Sequence, residues 1–249
     1  MGPSYASRVA TGAALFGLVP HTHFTTLIIL LINGGLFAAT LLMSMKQSGG
    51  ESFSLNNYVL YYFGAKESGS VLAGQWWRLV TAGFLHGGFL HILMNSWVLY
   101  DLGAQVEQTY GTARFLVFYV VANIMGFVAS TFWTRALSLG ASAALFGLIG
   151  SMIALGYRYR HTAAGTMVKA VYTRWVIYGL LFSLMPGIDM AAHVGGLVAG
   201  FALGYVAGVP RQGSPAERLW QGLAVVAVLI VVVSFGMVWL TFPATTRSG

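Results

Sequence analysis

Charge-free apolar windows alternate with short polar breaks along most of this chain. A membrane-spanning helix needs roughly 20 apolar residues, and most of the windows reach that length. The first runs from Phe24 to about Met45 and contains Asn33-Gly34-Gly35, which a packed transmembrane helix tolerates. Residues 46–78 mix Lys46, Glu51, Lys66, Glu67 and Arg78 with Tyr58, Tyr61, Tyr62, Phe63, Trp76 and Trp77. Aromatics with scattered charge and glycine predict a long loop lying in the headgroup layer. A second window covers 79–100, with Asp101 and Glu107 marking its end. Phe115–Thr134 and Ala136–Tyr157 give the third and fourth, and a basic cluster at Arg158, Arg160 and His161 follows. The fifth is the shortest, Trp175–Ile188, about 21 Å of helix; it spans only if Arg174 snorkels. Met190–Pro210 is the sixth, and a seventh runs from Leu219 past Phe242. The fold expected is an all-α polytopic membrane protein forming one transmembrane domain over 1–249. It would have a six-span core at about 24–209, the loop at about 46–78 and an extra span at about 219–242.

Composition agrees. Of 249 residues, 8% are charged and 57% hydrophobic, with a mean hydropathy of +0.74. Soluble domains carry about 25% charge, so a soluble enzyme and a disordered chain are both excluded as readings. The net charge of +7 comes from scattered residues, not a run, which argues against nucleic acid as a partner. With no cysteine there is no disulfide and no thiolate metal site. The N-terminal dozen residues lead into a full span without a small-residue cleavage site, so no signal peptide is read. Seven spans place the termini on opposite sides. With the N-terminus inside, Arg8, Arg114, Arg158, Arg160, Lys169, Arg174, Arg211 and Arg218 are cytoplasmic. Lys46, Lys66, Arg78, Arg135 and Arg247 are outside. The positive-inside rule favours this orientation, with the 46–78 loop external. Lacking a transit peptide, the chain is expected in a bacterial inner membrane, among lipid.

Small residues then predict packing. Ala192, Gly196, Gly200 and Gly204 recur every four residues in the sixth window, and Ala143, Gly147 and Ser151 do so in the fourth. Such stripes let helix backbones approach closely, so spans four and six are expected face to face. Packing does not explain the polar residues at their heads, Ser142 and His193. An imidazole in a span suggests function. His91 and Asn95 lie four apart on one face of span two. The charge-derived topology puts all four at one depth, below the outer surface. A serine hydroxyl becomes a nucleophile when a neighbouring base takes its proton, and histidine is the usual base. Asn95, His91 and the backbone N–H of Ser142 would supply the donors that a tetrahedral oxyanion needs.

Gly140-Ala141-Ser142 resembles the Gly-x-Ser-Gly nucleophile motif of the rhomboid family of intramembrane serine proteases. Ala192-His193-Val194-Gly195-Gly196 resembles its Ala-His-x-x-Gly motif. His86 through His91 to Asn95 resembles its His-x4-His-x3-Asn pattern, and Trp77-Arg78 resembles the Trp-Arg pair of the first loop. Phe146 sits where the family often has an aromatic under the base. The resemblance covers about Phe24 to Val209, and the seventh span is similar to the six-plus-one subgroup. It implies a serine endopeptidase with Ser142 as nucleophile and His193 as base. The oxyanion hole would be His91, Asn95 and Ser142, with Gly140, Phe146, Gly196, Trp77 and Arg78 in support. It also implies no cofactor, no metal, and transmembrane proteins as substrates. One position departs: the motif's second glycine is Ala143. Its methyl is expected where span four presses on span six, with Gly195 and Gly196 opposite to accommodate it.

Blander readings stand beside these. Asp189, one turn before His193, reads as an N-cap more readily than as a third catalytic residue. His86 reads as a hydrogen bonder in the turn, and Trp76 and Trp77 as interface anchors. Arg78 would bind lipid phosphate or loop carbonyls. Asn123 reads as an interhelical hydrogen bonder, and His21, His23 and His161 as bystanders. Two other functions stay open: a catalytically silent relative that binds transmembrane clients, suggested by Ala143, and a transporter, disfavoured because the polar residues gather at one end of the spans.

Overall fold

The computed structural model describes residues 24–49, 54–210 and 214–242; Arg8, His21, His23, Glu51, Arg211 and Arg247 lie outside them. The first helix, α1 (Phe24–Gln47), buries Thr25, Thr26, Ile29, Asn33, Phe37, Thr40 and Ser44 along one stripe. Two of its leucines point away, Leu31 at 75% exposed and Leu42 at 67%, while Leu30 and Leu36 pack against the core. Hydroxyl and amide side chains mixed into the inner stripe, with large apolar ones on the outer face, suit a lipid solvent. Two inward hydroxyls are satisfied within the helix, Thr40 donating to the Leu36 carbonyl at 2.9 Å and Ser44 to that of Thr40 at 2.8 Å.

The aromatic loop holds three short helices, α2 (Asn57–Tyr62), α3 (Ser68–Leu72) and α4 (Arg78–Thr81). Side chains cap the first two: Asn56 accepts from the Tyr58 N–H, and Glu67 from those of Gly69 and Ser70. Two buried cations tie the loop down. Arg78 donates to the carbonyls of Tyr61 at 2.7 Å and Ala65 at 2.8 Å, and lies over the Tyr61 ring at 4.0 Å. Of the two partners foreseen for Arg78, the structure selects the loop carbonyls. Trp76 stays exposed, whereas Trp77 is buried in the core and is not an interface anchor. Lys66, fully buried, donates to the carbonyls of Ser130, Thr134 and Ala136. Burial pulls its pKa below the usual lysine value, against the opposing pull of Asp189 and Glu67.

The second apolar window is displaced. After a 3₁₀ turn, Ala82–Phe84, the chain runs extended to Gly88 and only then enters α5 (Phe89–Val98). A π-helical segment, Leu99–Gly103, continues it into α6 (Ala104–Trp133). The second span thus starts ten residues later than the charge pattern suggests and runs through Asp101 and Glu107. Glu107 does not end the helix because its carboxylate is satisfied, accepting from Thr26 Oγ1 at 3.2 Å and Thr112 Oγ1 at 2.9 Å. Gly111 ends it. At φ 76° and ψ 159° it breaks α6, in a region where only glycine sits without strain. The 45-residue stretch Phe89–Trp133 would be roughly 68 Å long if straight, about twice a bilayer core; the break divides it into two helical segments.

Then come α7 (Ser142–Arg158), α8 (Ala163–Phe182), α9 (Met190–Ala207) and α10 (Pro215–Thr241). α8, at the place of the fifth window, begins at Ala163 and ends at Phe182, so it starts before the charge-free stretch and carries Lys169 and Arg174 on its surface. α7 is the axis of the bundle: every residue from Ala143 to Met152 is buried. α9 lies along it in register, as the stripes predict. A Cβ built on Gly196 would strike Ala143, one on Gly200 would strike Gly147, and one on Gly204 would strike Ser151. α10 packs on α6, where Arg114 forms a two-point ion pair with Glu217 at 2.7 and 2.8 Å. The chain is a polytopic, all-α membrane protein.

Candidate active site

The turn into α7 is built to bring a serine close to other backbones. Gly140 has φ +128° and donates its N–H to the Ala82 carbonyl at 2.9 Å. A Cβ there would lie 2.7 Å from Nε2 of His91, so glycine at 140 is what admits the His91 ring. Ser142 follows as the first residue of α7. The N-cap, Ala141, offers no side-chain acceptor. The first-turn N–H groups, with the positive end of the helix dipole, therefore face outward beside the Ser142 hydroxyl.

α9 delivers His193. Asp189 caps this helix, its Oδ1 accepting from the Ala192 N–H at 3.0 Å. Its Oδ2 accepts from Ser138 at 2.6 Å and also from Ser130. The capping reading of Asp189 holds, and the same carboxylate stitches α9 to the segment before Ser142. His193 is buried, with Nε2 2.7 Å from the Ser142 hydroxyl oxygen. The Phe146 ring stacks on the imidazole, centroids 4.3 Å apart and planes 16° from parallel. Room for that ring comes from Gly179 of α8, where a Cβ would sit 2.6 Å from the Phe146 edge.

The residues of α5 divide. His91 accepts the Gly87 N–H at Nδ1, at 3.3 Å. The neutral ring then carries its proton on Nε2, the nitrogen facing Gly140. Asn95 is buried on the same face one turn below. Its amide donates to the His91 carbonyl at 2.8 Å, which leaves the second amide hydrogen for another partner. His86 is buried edge-on against His91, centroids 5.2 Å apart, and neither of its ring nitrogens makes a hydrogen bond among the described residues; the turn bonder foreseen for it is not observed. Asn123 does join helices, donating to the Leu79 and Val80 carbonyls at 3.0 Å. His161 is exposed on the turn before α8. Arg78 is engaged with the loop carbonyls and Trp77 is buried in the core.

Gly196 supports the site through the backbone, against the Ala143 carbonyl. The Ala143 methyl points elsewhere than expected. A Cβ on Gly126 of α6 would be 2.7 Å from the Ala143 Cβ, so Gly126, not Gly195 or Gly196, makes room for it. Two further groups escaped the sequence reading. Ser183, the C-cap of α8, lies 2.6 Å from Nδ1 of His193, and its serine-leucine context has no motif to mark it. Gly126 stands alone in an apolar helix, with only its lack of a side chain as a signal. A cleft of about 170 Å³ between the π segment, α7 and α8, lined by Asp101, Gln105, Tyr172 and Trp175, holds neither Ser142 nor His193. Among the described residues no three of His, Asp or Glu gather as a metal-binding group.

The profile of the Rhomboid domain matches residues 73–210. Rhomboid protease GluP of Bacillus subtilis (strain 168) is 34% identical over 185 residues, covering 74% of this chain and 36% of that protein. Rhomboid-like protease 1 of Toxoplasma gondii is 33% identical over 183 residues, 70% of this chain and 61% of that protein. RHOMBOID-like protein 4 of Arabidopsis thaliana is 32% identical over 182 residues, 66% and 46% respectively. The chain thus spans about a third to three fifths of the length of these relatives.

Proposed function

This chain belongs to the rhomboid family, and from that premise we propose that it is an intramembrane serine endopeptidase cleaving peptide bonds in or near the transmembrane segments of other proteins. The observation that carries the reading is the 2.7 Å contact between Ser142 Oγ and His193 Nε2 inside an apolar bundle. His193 takes the Ser142 proton as Oγ attacks the scissile carbonyl carbon. The oxyanion meets the Ser142 N–H, the Nε2–H of His91 and the free amide hydrogen of Asn95. His193 then hands its proton to the leaving amine, and a water, activated by the same imidazole, releases the acyl chain. A Ser–His dyad does this with no metal or cofactor assigned a role. The silent, client-binding alternative rests on Ala143 alone, whose methyl lies against Gly126; absent labelling and cleavage would favour it.

The same reading assigns a six-span core to α1–α9 and a seventh span to α10. The charge asymmetry supports a cytoplasmic N-terminus and an external 46–78 loop and C-terminus.

The test uses the purified protein in detergent with a fluorophosphonate probe and a model transmembrane substrate. Labelling and cleavage are expected in the parent. Both fall at least about a hundredfold in Ser142→Ala and His193→Ala. Cleavage also declines in acid, because a protonated imidazole cannot accept the serine proton. Absence of labelling and cleavage in the parent sinks the proposal, as does a rate level from neutrality to about pH 3, far below an ordinary imidazole pKa.

A further inference from the structure

We propose that Ser183 is a positioning residue that fixes the tautomer of His193, so that the imidazole presents a bare Nε2 to Ser142; this rests on Ser142 and His193 acting as nucleophile and base. The argument is a proton count. The Ser183 oxygen is 2.6 Å from Nδ1 of His193 and also 2.6 Å from the Gly179 carbonyl oxygen. A hydroxyl has one hydrogen, and a carbonyl can only accept. The hydrogen of Ser183 therefore points at Gly179, and a Ser183 lone pair faces Nδ1. That contact is attractive only if Nδ1 carries the ring proton. A neutral imidazole has a single N–H, so Nε2 is bare and accepts from the Ser142 hydroxyl at 2.7 Å. The opposite tautomer would set two lone pairs against each other at 2.6 Å and turn an N–H toward the nucleophile.

Burial makes this hold strong. Ser183 is 3% exposed and His193 5%, so bulk water does not compete for either group. Asp189 does not serve instead, because both of its oxygens are engaged by Ala192, Ser130 and Ser138. One turn of α8 thus holds the base in two ways. Gly179 admits the Phe146 ring that lies along the imidazole face, and the Gly179 carbonyl orients Ser183 at the imidazole edge. When His193 takes the serine proton, Nδ1 keeps its own, and the Ser183 lone pair then faces the positive ring. The chain runs Ser142, His193, Ser183, Gly179 carbonyl, every hydrogen pointing the same way.

The experiment compares the parent chain, Ser183→Ala and Ser183→Thr in detergent. Three quantities are measured: the rate constant of fluorophosphonate labelling at Ser142, kcat and KM for a transmembrane substrate, and ¹⁵N spectra of histidine-labelled protein with the His193 signals assigned by their loss in His193→Ala. The parent is expected to carry its ring proton on Nδ1. Ser183→Ala slows labelling and kcat about tenfold, the worth of one hydrogen bond, with KM unchanged and a mixed tautomer signal. Ser183→Thr keeps an oxygen and recovers most of the rate. Labelling of Ser183→Ala at the parental rate, a Ser183→Thr variant no faster than Ser183→Ala, or a parental ring proton on Nε2 overturns the proposal. If Ser183→Ala does not fold, the parental tautomer and the threonine variant decide. If the parent labels at no rate, the protease reading fails, while the ¹⁵N spectrum still reports whether Ser183 sets the tautomer.

Discussion

At Ala143 a methyl group occupies the position after Ser142 where the Gly-x-Ser-Gly motif it resembles has glycine, and the Ser142–His193 contact is nonetheless 2.7 Å. The reason is geometric. Ala143 turns its carbonyl to Gly196 and its methyl to Gly126, so α9 meets backbone and α6 supplies the space. Ala143→Gly is therefore expected to leave the labelling rate within about threefold and to cost ~1–2 kcal/mol of stability, from one buried methyl and a helical glycine. Gly126→Val attacks the same point from the other side. Its Cβ would meet the Ala143 methyl at 2.7 Å and the Ala192 carbonyl at 2.6 Å, the neighbours of Ser142 and His193. We expect a loss of ~3 kcal/mol and labelling slowed more than about tenfold. Thermal unfolding with labelling rates checks both, and a fully active Gly126→Val would refute this account of the packing.

Among the elements, the loop helices depend on caps more than on length. α3 has only five residues, and its first-turn N–H groups close on Glu67, which accepts from Gly69 at 2.8 Å and from Ser70 at 2.7 Å. The Gly69 N–H foremost, with those of Ser70 behind it, holds the Glu67 carboxyl below its ordinary range. The sign follows. A carboxylate with a depressed folded pKa stabilises the fold above its unfolded pKa, and that contribution is lost as pH falls through the folded value. The melting-temperature gap between parent and Glu67→Ala should be widest near neutrality and close below about pH 4. A gap independent of pH would contradict this. Lys66 next door is the other fixture, its ammonium gathering three carbonyls at the end of α6. The sequence presents it as one more loop charge; that it is buried follows only from where the end of α6 lies.

For the molecule as a whole, an ion pair between distant segments locks two helices together. Arg114 and Glu217, 103 residues apart, join α6 to α10. Arg114 is 3% exposed and Glu217 22%, and the guanidinium also lies 5.2 Å from the Trp220 ring centroid. Removing one partner leaves a buried charge, so Glu217→Ala should cost about 3 kcal/mol. The double variant Arg114→Met with Glu217→Leu should recover most of that. Unfolding in detergent distinguishes this from a surface pair, for which the single and double variants would differ little.

Lipid solvation is what made so much of this chain legible in one dimension. A bilayer penalises every unpaired polar group, so the spans, the α7–α9 stripe and the isolated Ser142, His193, His91 and Asn95 stand out without knowledge of the fold. The family pattern and the all-α class follow from the same order of residues. Three-dimensional packing decided the rest. The second span runs past Asp101 and Glu107 to Gly111, because a satisfied carboxylate permits a helix and a left-handed glycine stops one. Trp77 is core, Gly126 houses the Ala143 methyl, and Ser183 of α8 meets the histidine of α9. Each of these depends on which atoms from distant segments come within a few ångströms. Residue order along a hydropathic chain sets which segments cross the membrane; only the packed bundle sets which face each side chain meets, and hence which nitrogen of His193 is left bare.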